Sequence, residues 1–252
     1  EPMVHFGYGT VKKIDSLRIV WPDRSYQTLK DIEVNQTLAI KPNGTAPFNY
    51  ESIKPKTKPI FKKVEDNLGL NFTHKEDNHI DFNREKLIPY RVSDRGPATA
   101  VGDLNGNGKE DIFFGGSKFF SSKIYVQQDT LFIEEKFPEL QQDSVKEDVV
   151  ALIKDLTGNG KNDIFLGSGG ADFYGKTKAL LNSYFIQKDT LFEEGAISDF
   201  FDNTSVIKVN DYDKDGDLDL FVGSNVVTSR FGETPNSYLL KNENGKFSIV
   251  EN

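Results

Sequence analysis

Three times from residue 101 onward, a short apolar stretch gives way to a polar, glycine-bearing loop and returns as Ile, Leu, Val and Phe. The copies read VGDLNGNGKEDIFFGG from Val101, IKDLTGNGKNDIFLGS from Ile153 and VNDYDKDGDLDLFVGS from Val209. Their leading aspartates, Asp103, Asp155 and Asp211, set periods of 155 − 103 = 52 and 211 − 155 = 56 residues. Each copy is followed by two further apolar segments: KIYVQQ and TLFIEE, SYFIQK and TLFEEG, SYLLKN and KFSIVE. Short runs rich in β-branched and aromatic residues, broken by Gly, Asn and Asp, predict four strands per unit. Helical spacing is weak throughout the repeated region.

Four short strands per unit at a period near 50 residues is the content of one propeller blade. Phe61 to Asp66 resembles the closing Phe247 to Asn252, so residues 60–66 are expected to form the outer strand of a preceding blade. About three blades leave open edges, since closure takes four to eight. The edges are expected to pair with further blades of a longer protein or with another copy of the chain. Ahead of the repeats, DSLRIVWPD alternates polar and apolar residues, followed by YQTLKDI and QTLAIKP, which predicts three short antiparallel strands. Pro42, Pro47, Pro55 and Pro59 then mark a semi-rigid connection. The expected organisation is a small β domain over 1–42, a Pro-rich linker over 43–59 and blades over 60–252, giving an all-β chain.

Composition narrows the function classes. A net charge of −8 and a pI near 5.1 argue against a nucleic-acid surface and favour cation binding. Cysteine is absent, which removes disulfides and thiolate metal sites. No apolar run approaches the roughly 18 residues of a membrane span, so membrane insertion is not expected. The chain opens Glu1-Pro2-Met3 without a signal-peptide pattern, which places any targeting signal outside it.

The repeated loops have the spacing of calcium sites. Calcium takes six to eight hard oxygens at roughly 2.3–2.6 Å, and alternate positions of a curled loop turn their oxygens inward. The expected ligands of the first loop are Asp103, Asn105, Asn107 and Asp111, with the Lys109 carbonyl. The second offers Asp155, Thr157, Asn159 and Asp163, with the Lys161 carbonyl. The third offers Asp211, Asp213, Asp215 and Asp219, with the Asp217 carbonyl. Gly108, Gly160 and Gly216 stand at the sixth position, where the chain turns sharply. A helical calcium hand would need Glu at position twelve, where this chain has Phe114, Leu166 and Val222. Each loop is therefore expected to join two strands. Carboxylate count ranks the third loop as the tightest site, and magnesium, which demands a rigid octahedron, is disfavoured. Three structural calcium ions would bring the charge from −8 to −2.

These loops, with their trailing Phe-Phe-Gly-Gly, Phe-Leu-Gly-Ser and Phe-Val-Gly-Ser, resemble the FG-GAP or VCBS repeats of integrin α-chain-like propellers. His5 to Pro42 resembles the ASPIC/UnbV domain, which accompanies such repeats in proteins similar to cartilage acidic protein. Phe72 to Gly108 is similar to the blade that follows this domain in large bacterial envelope relatives. The resemblance implies calcium in the loops, an extracytoplasmic setting, a binding or adhesion role toward a protein or glycan, and a chain truncated at both ends.

No catalytic constellation stands apart from the loops. His74 and His79, among Glu76, Asp77 and Asp81, fit neither a strand face nor a helix face and read as structural or surface residues. Gly167-Ser-Gly-Gly170 lacks the downstream Lys-Ser/Thr of a phosphate loop. The leading expectation is a non-catalytic, calcium-stabilised binding module. A calcium-assisted polysaccharide lyase and a purely structural segment of a larger envelope protein are the competing readings.

Overall fold

The computed structural model describes residues 3–44, 46–55, 59–141, 145–170, 172–189 and 191–251. The chain divides into two compact units, Glu1–Lys63 and Val64–Asn252. It is all-β.

In the first unit, β1 (Lys13–Val20) and β2 (Ser25–Glu33) form an antiparallel hairpin, and β3 (Ala46–Pro47) adds to the far side of β2. The hairpin follows the alternation around Leu17 and Ile19. The third strand does not fall where expected: residues 36–42, QTLAIKP, are bend and coil. Tertiary contacts select the later segment instead. The Gln27 carbonyl oxygen Oε1 accepts from the Asn43 N–H at 2.6 Å, and Phe48 packs edge-on against Tyr26. Gly44 lets the backbone lie against Tyr26, because a Cβ there would sit 2.4 Å from the Tyr26 carbonyl oxygen. The proline-rich stretch thus contributes a strand to the sheet, with a 3-10 helix at Tyr50–Ile53 after it.

Among the described residues, the second unit holds three four-stranded antiparallel sheets, each a simple meander. The first comprises β4 (Thr99–Gly102), β5 (Asp111–Phe114), β6 (Lys123–Gln128) and β7 (Leu131–Glu135). The second comprises β8 (Asp148–Lys154), β9 (Asp163–Ser168), β10 (Ser183–Lys188) and β11 (Leu191–Glu194). The third comprises β12 (Thr204–Asn210), β13 (Asp219–Ser224), β14 (Ser237–Asn242) and β15 (Phe247–Ile249). Strand β8 lies against β4 on one side and β12 on the other.

Residues 60–66, expected as an outer strand, are bend and coil, with Ile60 and Phe61 exposed. The chain instead reaches the outer edge of the sheet that follows it, where the Leu68 carbonyl accepts from the Phe132 N–H of β7 at 2.8 Å. The connection after β11 behaves alike: Ile197 bridges in parallel to Phe247 of β15.

The core lies between sheets. Phe113, Ile124, Ile153, Ile164 and Phe192 fill the space between the first and second, and Phe165, Tyr184, Leu220, Leu240 and Phe247 that between the second and third. The repeat makes the asymmetry legible. Phe113 and Phe165 are 0% exposed, whereas Phe221, at the equivalent position of β13, is 45% exposed on the outer face of the third sheet.

Candidate metal centre

Each repeated loop occupies the eight residues between paired strands, closed by the pairs Gly102↔Asp111, Lys154↔Asp163 and Asn210↔Asp219. Gly108, Gly160 and Gly216 turn the loop at φ 80°, 82° and 101°, a region that L side chains rarely adopt. The loops therefore sit on hairpins and carry no helix.

The ninth-position aspartates begin β5, β9 and β13 and are essentially inaccessible, at 0%, 0% and 1% exposure. Their carboxylates tie the loop to the third strand. Asp111 accepts from the Leu104 N–H at 2.7 Å and the Gln127 N–H at 2.8 Å. Asp163 accepts from Leu156, Thr157 and Gln187 at 3.0, 3.1 and 2.9 Å. Asp219 accepts from Tyr212 and Asn242 at 3.0 and 2.9 Å. Burial raises the Asp111 and Asp163 carboxyls above the usual range, opposed by these amide donors.

The remaining positions differ between loops. In the first, both Asp103 oxygens accept loop amides, Oδ1 from Gly106 at 2.7 Å and Oδ2 from Gly108 at 2.8 Å. Asn105 and Asn107 accept from the Asn107 and Lys109 amides, and Lys109 pairs with Asp129 at 3.0 Å. In the second, Asp155 accepts from Asn159 and Gly160, Asn159 accepts from Lys161, and Lys161 pairs with Asp189. The Thr157 hydroxyl oxygen is buried without a hydrogen-bond partner.

The third loop leaves most capacity open. Carboxylate oxygens of Asp211, Asp213 and Asp215 lie within 4.8 Å of one another. Asp211 Oδ2 accepts from the Gly216 N–H at 3.2 Å, while its Oδ1 is buried with no partner. Asp217 accepts from the Asn244 N–H at 3.1 Å. A buried, unpartnered carboxylate oxygen beside two more carboxylates is an arrangement that a hard divalent cation satisfies and water-excluded protein alone does not. The donor set is all oxygen, which suits calcium and not a thiolate- or imidazole-seeking metal.

The sequence reading missed two features. Lys241 extends from β14 to Asp213 at 2.7 Å and Asp215 at 3.4 Å, where the other repeats carry Val126 and Ile186. Its hydrogen bond holds the Asp213 carboxyl below the usual range, and the lysine is raised in turn. The third loop's added charge is thus answered by one cation reaching in from the sheet. The second feature is a set of amide stitches between neighbouring sheets. The Asn242 amide donates to the Leu156 carbonyl at 2.7 Å, and Gln187 donates to the Leu104 carbonyl. Nothing in the local spacing marks them.

The two histidines of interest do not converge. His74 pairs with Glu76, and His79 lies between Asp172, at 2.8 Å from Nδ1, and Asp81, at 3.5 Å from Nε2. Nearby, Glu147 is buried in the connection before β8, its Oε1 accepting from the Arg95 N–H at 3.4 Å. Burial, then repulsion from Glu76, Asp172 and Asp94, pushes its carboxyl up to about 8. A carboxyl raised on folding binds a proton that the unfolded chain has already released. Its stabilising contribution is complete below the unfolded value near 4.5 and is gone once pH passes about 8. Urea unfolding between pH 5 and 9 should show stability falling with rising pH by up to about 1.4 kcal/mol per unit. Glu147→Gln should flatten that slope, and an unchanged slope would assign it to other groups.

Comparison with known families bears on the first unit. Residues 1–47 match the family ASPIC and UnbV. The ASPIC/UnbV match ends at Pro47, the last residue of β3, so it takes in the whole three-stranded sheet and part of the segment expected as a linker. No curated protein matches the chain. Among the described residues, no helix is long and apolar enough to cross a membrane.

Proposed function

We propose that the second unit is a run of FG-GAP/VCBS-type propeller blades whose loops bind structural calcium, and that the chain is a non-catalytic binding or adhesion module of an extracytoplasmic protein. The observation that carries the calcium reading is the trio Asp211, Asp213 and Asp215 with a buried, unpartnered Asp211 oxygen. Meander sheets laid first strand to first strand support the blade reading. The ASPIC/UnbV match supports the extracytoplasmic setting.

Bound calcium would cross-link the two strands of a hairpin through oxygens that otherwise repel. The residues around it hold and orient: the ninth-position aspartates fix the loop entrance to the third strand, and the glycines set the turn. Those aspartates are committed to backbone amides and are poorly placed for acid–base work, which supports a non-catalytic role. Differential scanning fluorimetry with calcium against chelator tests the reading. At a hundred times the dissociation constant, calcium should add about 2.7 kcal/mol, a rise of roughly 5–10 °C in Tm. An identical Tm in both buffers would remove calcium from the account.

A further inference from the structure

The repeated loops crowd one end of the sheets, and the loops at the opposite end line a half-open cavity of about 470 Å³ between the second and third sheets. Its walls come from the β9–β10 loop, the β11–β12 connection and the β13–β14 loop. That volume is within the range of small-molecule sites and suits a compact ligand with polar and apolar sides.

The lining is built. Phe200 forms a buried floor and packs against Tyr238 with ring centroids 4.4 Å apart, while the Tyr238 hydroxyl donates to Asp202. The rim is braced from behind by residues of a separate segment: the Arg84 guanidinium lies 5.3 Å from the centre of the Tyr174 ring, and Glu85 accepts from the Ser229 N–H. Asn203 donates to Thr228, joining two of the walls. Tyr174 itself is 61% exposed, a ring held in place with its surface available.

Charge narrows the occupant. Lys176, Arg230, Asp199 and Asp202 line the cavity, and Arg230 is already held by Glu233 at 2.9 Å. The lining thus carries two bases and two acids, with one of the bases already paired, and so offers no excess of positive charge to draw in a sulfated or uronic ligand. Fixed aromatic faces beside carboxylates and the Asn236 amide match a ring with an apolar C–H face and a periphery of hydroxyls.

We infer that this cavity is a binding site for a neutral saccharide, one or two pyranose rings in size. The inference rests on the binding role proposed above and gives that role a ligand class and a location remote from calcium. The sugar stacks on Tyr174 and hydrogen-bonds to Asp202 and Asn236.

The test uses the full chain in calcium on an array of neutral and acidic glycans, with calorimetry on the strongest neutral disaccharide. Tyr174→Ala and Asn236→Ala alter exposed side chains. Each should weaken binding about tenfold while leaving Tm and the calcium response unchanged. Wild-type affinity in both variants, or capture of acidic glycans alone, would overturn the site while leaving a binding module standing. No glycan bound at all, together with a specific protein ligand recovered by cross-linking, would overturn it too. A chain with neither kind of ligand would sink the binding role itself.

Discussion

Asp163→Ala should destabilise the second unit by roughly 3–5 kcal/mol, lowering Tm by roughly 10 °C. The side chain is 0% exposed, and three backbone N–H groups, from Leu156, Thr157 and Gln187, end on its carboxylate. Truncation leaves those donors buried in a space closed to bulk water, the costly direction of hydrogen-bond loss. Asp163→Asn keeps the shape and one acceptor oxygen but points an N–H₂ at amide donors, so it should fall between wild type and Ala. Chemical denaturation with calcium chelated isolates this effect from metal binding. A cost below about 1 kcal/mol for the alanine variant would mean that water reaches the donors and that the aspartate is no staple.

The second large effect concerns the third loop. Asp211→Ala should abolish the tightest step of a calcium titration and most of the calcium-dependent rise in Tm. It removes the buried oxygen that has no other partner and leaves Asp213 and Asp215 as a pair. Lys241→Met should act in the opposite sense, tightening that step roughly two- to fivefold, because an exposed ion pair of modest energy no longer has to be broken before the ion enters. Isothermal titration calorimetry reads both. If Asp211→Ala leaves the strongest step intact, the trio is a solvated acidic turn neutralised by Lys241.

How much of this was legible beforehand depends on the range of the interactions concerned. The hairpins around Asp103, Asp155 and Asp211 were readable because turn glycines and alternating apolar residues act over a few positions, and three copies repeat the same spacing. The strands KIYVQQ, SYFIQK and SYLLKN fall at their expected places for the same reason. The third strand of the first unit was not readable, since Gln27 and Phe48 choose it through contacts across the sheet. The FKKVED segment copies a strand sequence without the neighbour that would make it one. At the candidate metal centre, spacing named the acidic residues. It could not reveal that Asp111, Asp163 and Asp219 are spent on backbone amides, or that Lys241 reaches the third loop, because both depend on which strand lies next to the loop. The cavity between Tyr174 and Tyr238 joins residues from loops far apart in sequence and has no linear signature.

The amide stitches carry a mechanical implication. Because the Leu104 carbonyl is held by Gln187 and the Leu156 carbonyl by Asn242, every turn but the last is clasped by the sheet that comes after it. Loss of the second or third sheet frees the preceding turn as well, so fraying is expected to spread from sheet to sheet, coupling their unfolding. An ion seated in the final turn would then stiffen the ones upstream without touching them.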